Sequence, residues 1–406
     1  MNRIITLYIK ACINNIQNNK AFAIFFTFGA MFTFLFIILI LQGMDEIFGD
    51  RPPLTNANRI VQISNFTDEA GQPIGGITDV GIKQISQTIK GYECLSIKNC
   101  QSVNVSISNR SILCRIGFVN EDYFKVHALK VIQGRIFTKD DYPSTEAVAV
   151  VKESIAKKYF SSDNIVNNYI EFQGRIYKII GVVEDFTSLT GDLSSVWVPY
   201  IYNKFIPDTA PYYVMDVLFP VEMSHQEMKK NIYQGIIQYW HQQNIAVDIT
   251  LEQIHVLKDS LYKAWNSNLL IYGSVIAIIL LLIVPGVNII VLNISYVEIR
   301  AKEIALRRVL GASFIGSFVQ ILIETFILVV IGTIFGLFLT TPVLHWVDAY
   351  YGSSFDGLTL TGGINYQVII LYVMPLTILF TLLSGGIPTY LIAHRNISQT
   401  LKGGTK

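Results

Sequence analysis

The residue types that could do chemistry are concentrated in one charged stretch. Residues 298–313, EIRAKEIALRRVLGAS, place Glu298, Arg300, Lys302, Glu303, Arg307 and Arg308 between long uncharged runs. At helical spacing, Glu298 with Lys302 and Glu303 with Arg307 are acid-to-base i,i+4 pairs in the favoured order, each contributing roughly 0.2–0.5 kcal/mol. Ile299, Leu306 and Leu310 fall on one apolar stripe. Gly311 can close the helix in a left-handed cap, and Ser313 or Ser317 can start the next one. Such a helix suits charge-assisted docking to another protein at a membrane surface. The same residues also satisfy a plainer reading, a charged loop obeying the positive-inside rule, and the spacing leaves both open.

Other chemistry is excluded by what the chain lacks. No G-x-x-x-x-G-K-[ST], H-E-x-x-H, C-x-x-C or G-x-S-x-G occurs, and Gly403-Gly404-Thr405-Lys406 has phosphate-loop letters without the loop or helix. The 6 histidines are scattered without metal-ligand spacing. The reading is therefore no catalytic residue, no metal and no cofactor bound by this chain, so any catalysis belongs to a partner. A net charge of +1 supplies no basic field and argues against a nucleic-acid partner.

The elements that must position the charged stretch are membrane spans. With 406 residues, 51% of them hydrophobic and only 15% charged, and a mean hydropathy of +0.43, the chain is too apolar for a soluble protein. Spans need about 20 apolar residues, and four runs qualify: 21–44, 269–294, 317–340 and 366–393. The fold class expected is a membrane protein of four transmembrane helices, with a large α+β extracytoplasmic domain between helices 1 and 2. Basic residues cluster in 1–20, 298–311 and 394–406, whereas 341–365 holds Asp348 and Asp356 and no Lys or Arg. By the positive-inside rule both termini and 298–311 are cytoplasmic, and 45–263 and the loop 341–365 are outside. Residues 1–20 repeat Ile and Tyr at helical spacing and read as an amphipathic helix on the inner leaflet. The first run is longer than a signal h-region, lacks an A-x-A site, and reads as an uncleaved anchor.

Inside the spans Glu324 stands out. A carboxylate there is expensive, and it serves either proton or substrate handling or an interfacial hydrogen bond. Gly332 and Gly336 form a GxxxG pattern, suited to close packing within the bundle or across a dimer. Pro285 and Pro375 predict kinks. In the outer block, strands are expected at 59–64, 102–108, 111–119, 147–151, 169–172 and 177–183, and helices at 79–90, 152–160 and 224–242, the last opened by the capping box Ser224-x-x-Glu227. That mixture reads as an α+β domain in two lobes. Cys94, Cys100 and Cys114, odd in number, allow one disulfide or free thiols.

The stretch 298–313 resembles the signature of the FtsX/MacB family of ABC-transporter permeases. QILIETFILVVIGTIFGLFL (320–339) is similar to that family's third span, and SGGIPTYLIAHRNISQTLKGG (384–404) to its last span and tail. NEDYFKVHALKVIQGRIFTKDD (120–141), AVAVVKESIAKKYF (147–160) and YKIIGVVEDF (177–186) resemble the MacB-type periplasmic core domain. Ile397 stands where the family often has proline. The resemblance implies an inner-membrane permease subunit of a bacterial ABC transporter, dimeric with a second permease subunit. It implies a separate ATPase that holds ATP and Mg, since no nucleotide-binding domain is found in this chain. Residues 298–311 would be the coupling helix, docking through Glu298, Arg300, Lys302, Glu303, Arg307 and Arg308, with Gly311 ending it. The function implied is mechanotransmission, in which ATP hydrolysis moves the extracytoplasmic domain for efflux or export of a periplasmic or membrane-derived substrate, with a periplasmic adaptor or hydrolase as a further partner. The alternative is a non-transporting scaffold that activates an extracytoplasmic hydrolase.

The charge pattern predicts the topology directly. Single cysteines at Ser162 and Ser354 should react with an impermeant thiol reagent from outside the cell, and those at Ser313 and Thr405 only after permeabilisation. Labelling of position 354 from the cytoplasmic side alone defeats the four-span arrangement.

Overall fold

The computed structural model describes residue 17 and residues 19–287 and 314–390, apart from positions 64–65, 68–72, 75–78, 108–109, 143–145, 161–164, 191–192, 206–212, 245–250, 252–253, 284–285, 352–356, 358, 360 and 388–389. The chain forms two compact units. A helical unit comprises Met1–Met44, Asn268–Leu344 and Ile364–Lys406, and a sheet unit comprises Asp45–Ser267 and His345–Gly363.

In the helical unit, α1 (Lys20–Phe48) is almost wholly apolar and continues four residues past the run read from hydropathy, through Asp45 and Glu46. Charges end a hydropathy signal, but they do not end a backbone hydrogen-bond ladder. Two other helices are long and apolar enough to cross a bilayer: Phe318–Tyr350, within a longer helix, and Tyr366–Gly386. The adjacent pair Leu257–Ala264 and Ser267–Ile283 counts as a further span if taken together. The described residues thus hold three candidate spans, or four with that pair; the expected second span lies partly outside them. The longer helix runs Phe314–Tyr351 with Pro342 inside it, so residues 341–351, expected in a loop, are helical. Emergence from lipid ends the apolar run, while the helix goes on. There Trp346 and Tyr350, one turn apart, stack at 5.9 Å. In the last span, wide π-turns occupy Ile369–Val373 and Leu382–Gly386, flanking the segment that contains Pro375. An imide without N–H, whose ring crowds the preceding turn, explains the first of them. Pro285, like most of 1–20, lies outside the described residues.

The sheet unit is built on one long strand. Its elements in chain order are β1 (Ile60–Ile63), the ribbon β2 (Phe66–Thr67) and β3 (Pro73–Ile74), α2 (Asp79–Thr88), β4 (Cys94–Ile107), β5 (Arg110–Val119), α3 (Tyr123–Val126), β6 (Val131–Gly134), β7 (Ala147–Lys152), α4 (Glu153–Tyr159), β8 (Tyr169–Phe172), β9 (Arg175–Val183), β10 (Val196–Pro199), β11 (Val214–Leu218), α5 (His225–Gln242) and α6 (Leu257–Ala264). The helices that follow are α7 (Ser267–Ile283), α8 (Phe314–Tyr351) and α9 (Tyr366–Gly386). Strand β4 pairs with β5 from Lys98↔Val119 to Ile107↔Arg110, and β5 then runs parallel to β10. From there β10 pairs with β7, β7 with β9, β9 with β8, and β8 returns to β4 at Ser106↔Glu171. Six strands therefore close into a ring. The far half of β4 alternates exposed and buried, turning Val103, Val105 and Ile107 inward to meet Ile116, Phe118, Ile179 and Val198.

The near half of β4 belongs to a second lobe. There β1, β11 and β4 form an antiparallel sheet, one face of which is covered by α2 and α5 through Ile85, Ile89, Ile232, Ile236 and Trp240. Close approach of the two helices needs Gly235, where a Cβ would stand 2.7 Å from Ile89 Cγ1. Ser224 and Glu227 form the expected reciprocal cap of α5. Cys94, Cys100 and Cys114 are free thiols.

On the opposite face of that sheet sits a buried charge. Asp216 of β11 has its Oδ2 3.1 Å from His127 Nε2 and 3.5 Å from Lys98 Nζ, while Oδ1 accepts a 2.8 Å bond from Gln62 Nε2. Burial alone would raise this carboxyl's pKa, but Lys98 and His127 outweigh it and hold it well below the usual range. A depressed carboxyl stabilises the fold fully above its unfolded pKa, near 3.9, and the benefit is lost as pH falls below that. Asp216→Asn removes the buried carboxylate that faces Lys98 and His127 and should cost about 3–5 kcal/mol at neutral pH. The expected result is a melting temperature lower than that of the unsubstituted chain at pH 7, with the gap narrowing at pH 3.

Candidate functional site

The residues read as a docking helix, Glu298, Arg300, Lys302, Glu303, Arg307, Arg308 and Gly311, lie outside the described residues. Those read inside the spans are described, and they share the helical unit with the charged stretch's neighbours in sequence.

Gly332 and Gly336 face α1. A Cβ on Gly332 would stand 2.7 Å from Ala30 Cβ and 2.9 Å from Thr27 O, and one on Gly336 would stand 2.9 Å from Met31 O and 3.0 Å from Leu35 N. Only hydrogen fits there, so the backbones of α1 and α8 meet along a two-turn seam within one chain. Around the seam Phe26, Phe34, Ile37 and Ile38 are buried with Leu328, Val329 and Phe380, and Phe34 meets Phe380 edge-on at 5.7 Å.

Glu324 is 4% exposed, two turns before the seam, so its carboxylate sits inside the bundle rather than reaching out to lipid. Its neighbours Gln320 and Thr325 are buried too, as are Thr377, Thr381 and Ser384 of α9. Thr325 packs against Gly385, where a Cβ would lie 2.8 Å from its Oγ1. The result is a polar pocket of packing between α8 and α9, holding one acid.

Sequence reasoning missed a pair of side chains at the end of α1. Gln42, buried, donates from Nε2 to Asn365 O at 3.1 Å and accepts from Asn365 N at 3.0 Å, a two-point amide clamp on the start of α9. Within the sheet unit, one turn on, Glu46 Oε1 accepts from Gly362 N at 2.9 Å and from Arg51 Nη2 at 2.9 Å, and Arg51 also meets Asp45 at 2.7 Å. A usable signal existed, since Gln42 and Glu46 are polar at i,i+4 where the apolar run of the helix ends. Beside them, Arg51, Lys130, Glu184, Asp185 and Phe186 line a cleft of about 130 Å³. Asp185 is pushed up by burial, against the bond it accepts from Ser154 N. Among the described residues, no cluster of His, Cys, Asp or Glu could hold a metal. The site can pack and clamp.

Comparison with known proteins places both units. Residues 21–232 match the model of the MacB-like periplasmic core domain, and residues 275–397 that of the FtsX-like permease C-terminal domain. The macrolide export ATP-binding/permease protein MacB of Aggregatibacter actinomycetemcomitans is 28% identical over 228 residues, covering 55% of this chain and 34% of that protein. The ABC transporter permease YknZ of Bacillus subtilis strain 168 is 26% identical over 329 residues, covering 79% of this chain and 77% of that protein. The chain therefore spans about a third of the MacB relative and most of YknZ. The crystal structure of the periplasmic region of MacB from Actinobacillus actinomycetemcomitans covers 52% of this chain and 94% of its own, at 21% identity and a TM-score of 0.41.

The seam offers a direct test of packing. Gly332→Leu drives a side chain into the α1 backbone, and overpacking of this kind costs about 1–3 kcal/mol or more. In detergent-solubilised protein it should lower the melting temperature by several degrees. Gly273→Leu, at a position with nothing within 4 Å of the added Cβ, should leave it unchanged. Equal behaviour of the two variants would mean that the seam does not hold the bundle.

Proposed function

This chain belongs to the FtsX/MacB family of ABC-transporter permeases, and on that premise we propose that it is the membrane half of an ATP-driven mechanotransmission machine. In this reading four helices span the bacterial inner membrane with both termini inside. Two permease subunits assemble with a separate ATPase, which holds ATP and Mg. Residues 298–311 dock into that ATPase as a coupling helix, and the sheet unit is the moving extracytoplasmic part. Its work is the efflux or export of a periplasmic or membrane-derived substrate.

One observation carries the reading. The sheet unit is composed of two stretches of chain: Asp45–Ser267, which begins with the end of α1, and His345–Gly363, which runs from the end of α8 toward α9. Any rearrangement of the spans therefore pulls on segments that are themselves parts of the sheet unit. The buried hydroxyls of the spans support it too. Thr33, Thr340, Thr377, Thr381 and Ser384 each donate to the carbonyl four residues back, so their O–H donors are used within their own helices. A substrate handled on the outer side fits such spans better than one threaded through them.

Docking by Glu303 makes an asymmetric prediction. Truncating or reversing one partner of a buried charge pair costs about 2–5 kcal/mol, against at most about 1 for a solvated pair. Glu303→Lys should therefore weaken co-purification of the ATPase roughly 30-fold or more and abolish stimulated hydrolysis, with insertion into the membrane unchanged. Glu222→Lys, an exposed position of the sheet unit, should leave both intact. A fully stimulated complex carrying Glu303→Lys would refute the docking role.

A further inference from the structure

A lysine fills a place in the sheet unit where hydrophobic packing would be expected. Lys152 ends β7, a strand with every residue buried, and is itself fully buried. Its Nζ donates to Phe186 O at 3.2 Å, lies 3.5 Å from Thr359 Oγ1, and stands 4.1 Å over the Phe186 ring. Thr359 belongs to the connection between α8 and α9. It is held there by two further bonds, its Oγ1 donating to Phe186 O at 2.8 Å and its carbonyl accepting from Ser188 N at 2.7 Å. Two residues earlier, Gly357 takes φ +79°; a Cβ there would collide with Ser195 Cβ and lie 2.8 Å from Ile155 Cγ1. Beyond Thr359, Thr361 donates to Asp348 at 2.6 Å and Gly362 to Glu46 at 2.9 Å. The connection is thus strapped into a groove formed by β7, α4, the turn after β9 and the entry to β10.

Retaining a cation there is costly. Burial lowers the Lys152 pKa to about 8, while Asp185 and Asp348 pull it back up. A methionine would fill the space without that penalty. What the ammonium adds is a donor to the carbonyl that Thr359 also uses, so the lysine and the strap close on one acceptor.

We infer that Lys152 is a positioning residue for the coupling proposed above: it ties the α8–α9 connection to the barrel, making the strap a second path by which the spans drive the sheet unit. The inference rests on the mechanotransmission reading for its purpose, and on the geometry alone for the tie.

Hydrogen exchange on the full chain with its ATPase in lipid nanodiscs tests both parts. With Lys152→Met, amide exchange at Ser188 and across 357–363 should accelerate at least tenfold, while β9 and β10 amides keep their protection. ATP hydrolysis should persist. The ATP-dependent change in sheet-unit exchange seen in the unsubstituted complex should shrink or vanish. If Lys152→Met also exposes β9 and β10, the decision passes to Gly357→Ala, which adds one methyl group from the strap side against Ser195 and Ile155 and should loosen the same amides. Unchanged strap exchange in the folded variant overturns the tie. A loosened strap with the ATP response intact overturns the path. If the unsubstituted complex shows no ATP response at all, the proposed function fails and takes the path with it, whereas the tie is still read from strap exchange.

Discussion

Lipid offers no hydrogen-bond partner, and the helical unit is shaped by that deprivation. Each polar group within the hydrocarbon must be satisfied by protein, at a cost of several kcal/mol if it is not. The hydroxyls meet this by folding back onto their own helices. Their O–H donors are then spent within their own helices. Cohesion between α1 and α8 rests on close contact, with two glycines on α8 standing where α1 has Thr27, Ala30 and Met31. Glu324 is the exception that shows the rule: a carboxylate is kept, and it is kept inside the bundle beside other polar side chains.

The sheet unit meets a related problem by closure. Unpaired strand edges invite wrong pairing, and six of its strands have their edges consumed by the ring. A single strand, β4, serves both lobes: its first residues pair with β11 and its last with β5 and β8. Its burial changes character between them, with Lys98 to Gln101 half-exposed where the lobes meet. Polar groups gather at that junction. Asp216, Lys98 and His127 hold one face, and Gln101, Asn203 and Tyr213 bond in series on the other. Packing inside each lobe is apolar and tight, whereas the join between them is made of directional bonds.

Much of this was legible from pattern. Alternation gave the inward face of β4, the capping box gave the start of α5, and hydropathy gave the apolar cores of α1, α8 and α9. Misses have specific causes. Val196–Pro199 and Val214–Leu218 became β10 and β11 although neither alternates, because both are buried on two faces. The extension of α8 to Tyr351 was invisible to a hydropathy window, which reads lipid contact and not backbone bonding. Lys152 and Asp216 carry no signal in sequence; only the fold brings Thr359 to one, and His127 and Lys98 to the other. The charged stretch 298–311, the strongest sequence signal, falls outside the described residues, and its role rests on charge spacing and family.

The strap also has a bearing on how the protein is made. Ribosomes deliver the chain from the N-terminus, and domains fold as they emerge. Every strand of the ring is complete by Pro199, yet the segment that covers Lys152 begins at Gly357, beyond α8. The residues that form the barrel around Lys152 are thus synthesised well before Thr359, the strap residue that shares its acceptor carbonyl. Completion of the sheet unit waits on synthesis of α8, because His345–Gly363 belongs to it.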